Sequence, residues 1–255
     1  MFQPDTKCKA KVCISENHGE RFSPVDMILL HYTGMKSGKA ALDWLCNPES
    51  GVSCHYFVDE DGTITQLVPE SRRAWHAGKS SWQGDQDINS RSIGIEIANP
   101  GHEFGYRAFP REQIRAVIEL CLDCGKRLDI LPHLFLAHSD VAPLRKEDPG
   151  ELFPWKLLHE AGIGHWVDAE ANGSGRYFQQ GDQGQPVEAL QSMLALYGYN
   201  IEISGVFDDV TTACVTAFQR HFRQQKVDGV ADDLTIVTLY KLLAELPEYK
   251  AKPVS

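Results

Sequence analysis

No stretch of the chain approaches the roughly 18 uninterrupted apolar residues of a membrane-spanning helix, so no helical span is expected. The opening residues, MFQPDTKCKAKVCISENHGERFSP, carry lysines but lack the apolar core of a secretory leader. Neither Cys8 nor Cys13 follows a hydrophobic stretch, which argues against a lipid-anchored cysteine. A basic stripe is also missing. Lys and Arg number 25 against 35 Asp and Glu, the formal charge is −10, and both halves of the chain share the acidic excess. Nucleic acid and anionic lipid are therefore not expected as partners. The cysteines number seven, an odd count at irregular spacing, which points to reduced thiols rather than a disulfide framework. Cys121 and Cys124 form a CxxC within EQIRAVIELCLDCGKRL, where Ile114, Val117, Ile118, Cys121 and Leu128 recur at helical spacing. That pair is read as buried thiols rather than as a redox or metal pair.

What remains is an ordinary globular composition. At 255 residues, with 42% hydrophobic and 24% charged, the chain suits two domains with cores of their own. From Pro24 to Trp166, short apolar runs alternate with helical patterns. DMILLHY (26–32) and SIGIEIA (92–98) read as strands, as does LFLAH (134–138). CHYFVDEDGTITQLVP reads as a hairpin about Glu60-Asp61-Gly62. Residues 38–46 and 111–128 read as helices. The expected fold is α/β, a mixed central β-sheet flanked by helices. Residues 167–185, polar and glycine-rich, read as a linker.

A small all-α three-helix domain is expected over 186–247. Its stripes are Val187, Leu190, Leu194 and Tyr197; then Cys214, Ala217, Phe218 and Phe222; then Leu234, Val237 and Tyr240. GVFDDVT (205–211) is echoed by GVADDLT (229–235), each a glycine turn with two acids at a helix start, where acids cap free N–H groups and complement the helix dipole.

Two histidines follow apolar strands, His31 after MILL and His138 after LFLA, and Asp148 stands just before Pro149-Gly150. Two imidazoles and one carboxylate with a fourth position open make a catalytic zinc set. Ten histidines and 35 acids also produce such triads by chance, so spacing alone leaves surface or core histidines as an alternative. In the strand 92–98, Gly94, Glu96 and Ala98 share one face. A carboxylate between two minimal side chains suits a pocket floor better than a solvated surface, and there it serves as general base; the alternative is an edge-strand salt bridge. Lys146, two residues before Asp148, leaves an extended loop on the same side and is placed to stabilise an oxyanion.

The segments LLHYTG (29–34), SCHYFVDEDGTITQLVPE (53–70), RAWHAG (73–78), SIGIEIAN (92–99), AHSDVAP (137–143) and KEDPG (146–150) together resemble the zinc-dependent type-2 N-acetylmuramoyl-L-alanine amidases, which share a fold with the peptidoglycan recognition proteins. The resemblance covers nearly all of residues 24–166. It implies one zinc ion held by His31, His138 and Asp148, with Glu96 as catalytic acid/base and Lys146 as oxyanion stabiliser. It also implies a substrate groove, with His55, Trp75, His76 and Asn99 as candidates to line it, His55 being equally readable as a hydrogen-bonded core residue. Cys54 stands where the family usually has a small residue and Leu144 where glycine is common, and neither change touches the ligand set. Residues 187–199, 205–219 and 228–235 resemble a peptidoglycan-binding three-helix module.

The activity implied is hydrolysis of the amide between N-acetylmuramic acid and L-alanine in peptidoglycan or muropeptides. Non-catalytic recognition of the same polymer is the rival, and cleavage within the stem peptide a third possibility. A wall-binding module would raise local concentration by tethering. The lack of a leader points to the cytoplasm, and the wall-binding module to the periplasm or cell wall.

Overall fold

A computed structural model describes residues 2–170, 173, 175 and 177–247. Two short strands, β1 (Ala10–Val12) and β2 (His18–Glu20), precede β3 (Met27–Tyr32) and α1 (Gly38–Leu45). Next come β4 (Tyr56–Val58), β5 (Ile64–Gln66), β6 (Arg72–Ala74), α2 (Ile88–Arg91) and β7 (Ser92–Ile97). They are followed by α3 (Gly101–Phe104), α4 (Arg111–Arg127), β8 (Phe135–Ala137), α5 (His138–Val141) and α6 (Trp155–Glu160). The remainder holds β9 (Tyr177–Phe178), α7 (Gln185–Tyr197), α8 (Asp209–Phe222), β10 (Ala231–Asp232) and α9 (Asp233–Glu245).

Six strands make the central sheet, in the order β1-β5-β4-β7-β3-β8. Its middle, β4-β7-β3-β8, is parallel, and the β4–β5 hairpin reverses direction at one side. Met27 to Leu30 are completely buried, as befits a parallel strand covered on both faces. The long helix α4 packs Ile114, Val117, Leu120, Cys121 and Cys124 into the core. Glu112 in its first turn and Lys126 and Arg127 in its last complement the helix dipole. Both CxxC thiols are thus core groups, and burial pushes their pKa values up.

The helical region follows the repeat closely. Asp208 caps α8 by accepting from Thr211 N–H at 2.8 Å, and Asp232 caps α9 by accepting from Thr235 N–H at 3.0 Å. A buried glutamine seals each glycine turn: Gln191 Oε1 accepts from Gly205 N–H, and Gln219 Oε1 from Gly229 N–H.

The catalytic domain, expected over 1–166 with its readable core from Pro24, takes in β1, which pairs with β5, and β2, which pairs with β6. Three-residue strands carry too few side chains for an alternating pattern to register. Two expectations need correction. The segment 167–185 is not wholly linker: Tyr177 and Phe178 pair with Asp232 and Ala231, while Ala171, Asn172, Ser174 and Arg176 lie outside the described residues. Finally, α9 buries Leu239, Leu242 and Leu243 and leaves Tyr240 66% exposed. The hydroxyl of Thr235 is held inside by Asp232, and the inward path runs from Thr235 through Thr238 and Leu239.

Candidate active site

The parallel pairing of β3 with β7 sets His31 opposite Glu96 in register, so both side chains leave the same face of the sheet near the strand ends. His138 is the first residue of α5, directly after β8, which pairs with β3 on its other side. Asp148 arrives on the loop that follows, and Ser139 N–H donates to the Asp148 carbonyl at 3.0 Å, closing that loop on itself. Three donor atoms converge. His31 Nδ1 is 2.9 Å from His138 Nδ1 and 3.1 Å from Asp148 Oδ2, and His138 Nδ1 is 2.9 Å from the same oxygen. All three residues are buried.

The hydrogen bonds behind the cluster fix where its protons sit. Ser92 Oγ–H donates to Ile88 O at 2.6 Å, which leaves Ser92 Oγ to accept from His76 Nε2 at 3.2 Å. His76 Nδ1 then accepts from His31 Nε2–H at 3.0 Å. On the other side, His138 Nε2–H donates to Ala77 O at 3.0 Å. Both imidazoles therefore turn unprotonated Nδ1 lone pairs toward an anionic oxygen. Three lone-pair donors this close repel one another unless a cation lies between them, and a two-histidine, one-carboxylate set with room for a fourth ligand suits a divalent metal. Burial, then the neighbouring His138, pushes the His31 pKa down to about 4. Burial opposes ionisation of Asp148, yet His138 and His31 hold its carboxyl well below the usual carboxylate range.

Glu96 and Lys146 line the same cleft of about 320 Å³ as His138 and Asp148. Glu96 is half-buried, and its Oε2 has no hydrogen-bond partner among the described residues. Burial first, and the charge of Asp148 second, raise its pKa well above the usual value. Gly94, two residues earlier on the same face, is required by packing, since a Cβ there would overlap the His76 ring.

Of the groove candidates, Trp75 and His76 line the cleft, although His76 is mostly buried and spends both ring nitrogens on Ser92 and His31. His55 and Asn99 do not line it. His55 is completely buried, accepts from Gly94 N–H at Nδ1 and donates from Nε2 to Arg72 O, so it is a hydrogen-bonded core residue. Asn99 is 3% exposed and shapes the next loop, donating to Arg107 O and accepting from Gly101 N–H.

Tyr32, Met35, Trp44 and Val52 are among the other residues of the wall, and none of them was singled out in the sequence. Trp44 gave a faint signal, as a large aromatic beside rather than on the buried stripe of Ala41 and Leu45, and it is 47% exposed.

Residues 21–151 match a family model described as N-acetylmuramoyl-L-alanine amidase, and residues 183–239 one described as a putative peptidoglycan binding domain. The chain is 35% identical over 251 residues to the N-acetylmuramoyl-L-alanine amidase AmiD of Escherichia coli, covering 91% of this chain and 84% of that protein. A solved complex of AmiD with the substrate anhydro-N-acetylmuramic acid-L-Ala-D-gamma-Glu-L-Lys superposes with a TM-score of 0.75, at 34% identity over 96% of this chain and 95% of the other. AmpDh3 from Pseudomonas aeruginosa, in complex with an anhydromuramic pentapeptide, superposes equally well, with a TM-score of 0.75 and 31% identity over 95% of this chain and 98% of the other. With these matches set beside the cleft of Glu96, Lys146 and three converging donors, the chain belongs to the N-acetylmuramoyl-L-alanine amidase family.

Proposed function

We propose that this amidase holds one zinc ion between His31, His138 and Asp148 and hydrolyses the amide joining N-acetylmuramic acid to L-alanine, using Glu96 as acid/base and Lys146 as oxyanion partner. The observation that carries the reading is the convergence of three donor atoms at 2.9–3.1 Å, with the outer N–H of each histidine committed elsewhere. An N₂O donor set fits zinc, and zinc bound there supplies the Lewis acidity that polarises a carbonyl and lowers the pKa of water toward about 7.

The chain's own groups do the rest. Asp148 and the two imidazoles enter already deprotonated where they face one another. Glu96 Oε2, with no hydrogen-bond partner among the described residues, takes the proton from the attacking water and returns it to the alanine nitrogen as the amide breaks. Its raised proton affinity suits both halves of that exchange. Lys146 meets the oxygen on which negative charge develops. Trp75, with Trp44 and Val52, gives the cleft an apolar wall.

The substrate class is peptidoglycan or its soluble fragments, in line with the muropeptides held by the relatives. The catalytic unit is assigned to residues 1–166. The helical unit is assigned to 186–247 together with β9, and its family match supports contact with the polymer. The seven cysteines are free thiols, with Cys13 Sγ and Cys46 Sγ 3.0 Å apart. No helix among the described residues is long and apolar enough to cross a membrane.

The test is mass spectrometry of digests of soluble muropeptides and of sacculi. Free stem peptides beginning with L-alanine are expected. Products cut within the stem, or sacculi bound but uncut, would contradict the reading.

A further inference from the structure

Asp140 stands two residues after His138 in α5 and is 1% exposed. Its carboxylate accepts three hydrogen bonds: Ala137 N–H to Oδ2 at 2.8 Å, His221 Nδ1–H to Oδ2 at 2.7 Å, and Tyr199 O–H to Oδ1 at 2.7 Å. Two of the three donors belong to the C-terminal helical unit, Tyr199 just beyond α7 and His221 in the last turn of α8. The same end of α8 reaches the other side of the ligand-bearing segment. Arg220 lies 3.4 Å from Glu147, and Gln224 Nε2–H donates to the carbonyls of Glu151 at 2.7 Å and Phe153 at 2.5 Å. One end of one helix thus grips residues 138–153, which carry His138, Lys146 and Asp148.

The grip is buried and closely packed. The His221 ring stacks on Trp155 at 3.7 Å and on Phe222 at 3.8 Å. The fully buried Trp82 meets Tyr199 edge-on at 5.0 Å. Gly198, at φ +139°, has no room for a side chain, because a Cβ would overlap the Trp82 indole. A buried carboxylate is costly unless its oxygens are satisfied, and here two of its three donors come from the helical unit. A unit serving only as a tether on a linker has no use for such contacts.

We infer that the C-terminal unit is a structural part of the metal centre: Tyr199 and His221 are positioning residues that act through Asp140 on His138, while Arg220 and Gln224 steady the loop carrying Asp148. Ligand geometry depends on such supporting partners, and losing one typically costs about 10- to 100-fold in metal affinity. The inference rests on the reading of His138 and Asp148 as zinc ligands.

The test uses the full chain, with zinc affinity measured by competition against a chromophoric chelator and a thermal melt of the metal-free protein as a folding control. Tyr199→Phe combined with His221→Leu is expected to weaken zinc by about 10- to 100-fold. His221→Asn, which keeps an N–H donor, should recover most of the loss. Turnover of soluble muropeptides by the double variant should fall at limiting zinc and return with excess zinc, which mere misfolding would not allow. Tyr199→Phe alone removes a single oxygen and carries the test if the double variant does not fold. Folded variants with wild-type zinc affinity would overturn the inference. A His138→Ala protein that binds zinc as tightly as wild type would instead overturn the ligand reading beneath it.

Discussion

His76 Nδ1 lies 3.0 Å from His31 Nε2, so the histidine of the RAWHAG segment supports His31, a proposed metal ligand, from behind. The relay runs on to Ser92 and ends on the Ile88 carbonyl, which fixes the direction of every proton along it. His76→Ala removes the acceptor and frees the His31 ring to turn. Zinc affinity should drop by about 10- to 100-fold, read by chelator competition. Unchanged affinity would show that the ring is held by packing alone.

Glu96→Gln keeps the shape of the side chain and removes its basicity. The variant should bind zinc like the wild type and lose roughly a hundred- to ten-thousandfold in kcat. Metal content and turnover are to be measured on one preparation. Near-normal turnover with full zinc would end the acid/base assignment.

Lys146→Ala should lower kcat by about a hundred- to a thousandfold while KM moves little, because a developing oxyanion exists only in the transition state. A rise in KM with kcat intact would recast Lys146 as a substrate-binding residue.

His55 gives a pH prediction. Burial, then the charge of Arg21, pushes its pKa down to about 3, so the folded protein keeps it neutral. Between about pH 6.5 and 3 the unfolded chain takes up a proton that the native state refuses, and stability is lost as pH falls, by roughly 1 kcal/mol per pH unit. Above about pH 6.5 this contribution is fully present. Melting curves of the metal-free protein should show a shallower acid slope for His55→Gln than for the wild type. Equal slopes would mean that the ring does not resist protonation.

How much of this was legible in the chain depends on the range of the contacts. His31 and Glu96 could be read because each sits in a six-residue strand long enough to show which face it serves, and parallel pairing then sets them side by side. Gly94 and Ala98 flanking Glu96 signalled the pocket correctly, although Gly94 makes room for His76 rather than for substrate. The relay through His76 and Ser92 left no local trace, because its bonds join segments that only the folded sheet brings together. His55 stayed open between cleft and core for the opposite reason: a histidine at a strand start looks the same whether its partners are substrate or backbone. The grip of α8 on residues 138–153 was the least visible, since His221 and Gln224 reach partners more than 70 residues away in the chain.

The most direct test of the zinc assignment is to strip the metal with a chelator, titrate zinc back into the protein, and follow release of peptides with N-terminal L-alanine from a soluble muropeptide. The account predicts no product from the stripped protein and full recovery when one zinc has been added per chain, with Asp148→Ala failing to recover at that ratio. Undiminished product from the metal-free chain, or full rescue of Asp148→Ala by one equivalent, would contradict it.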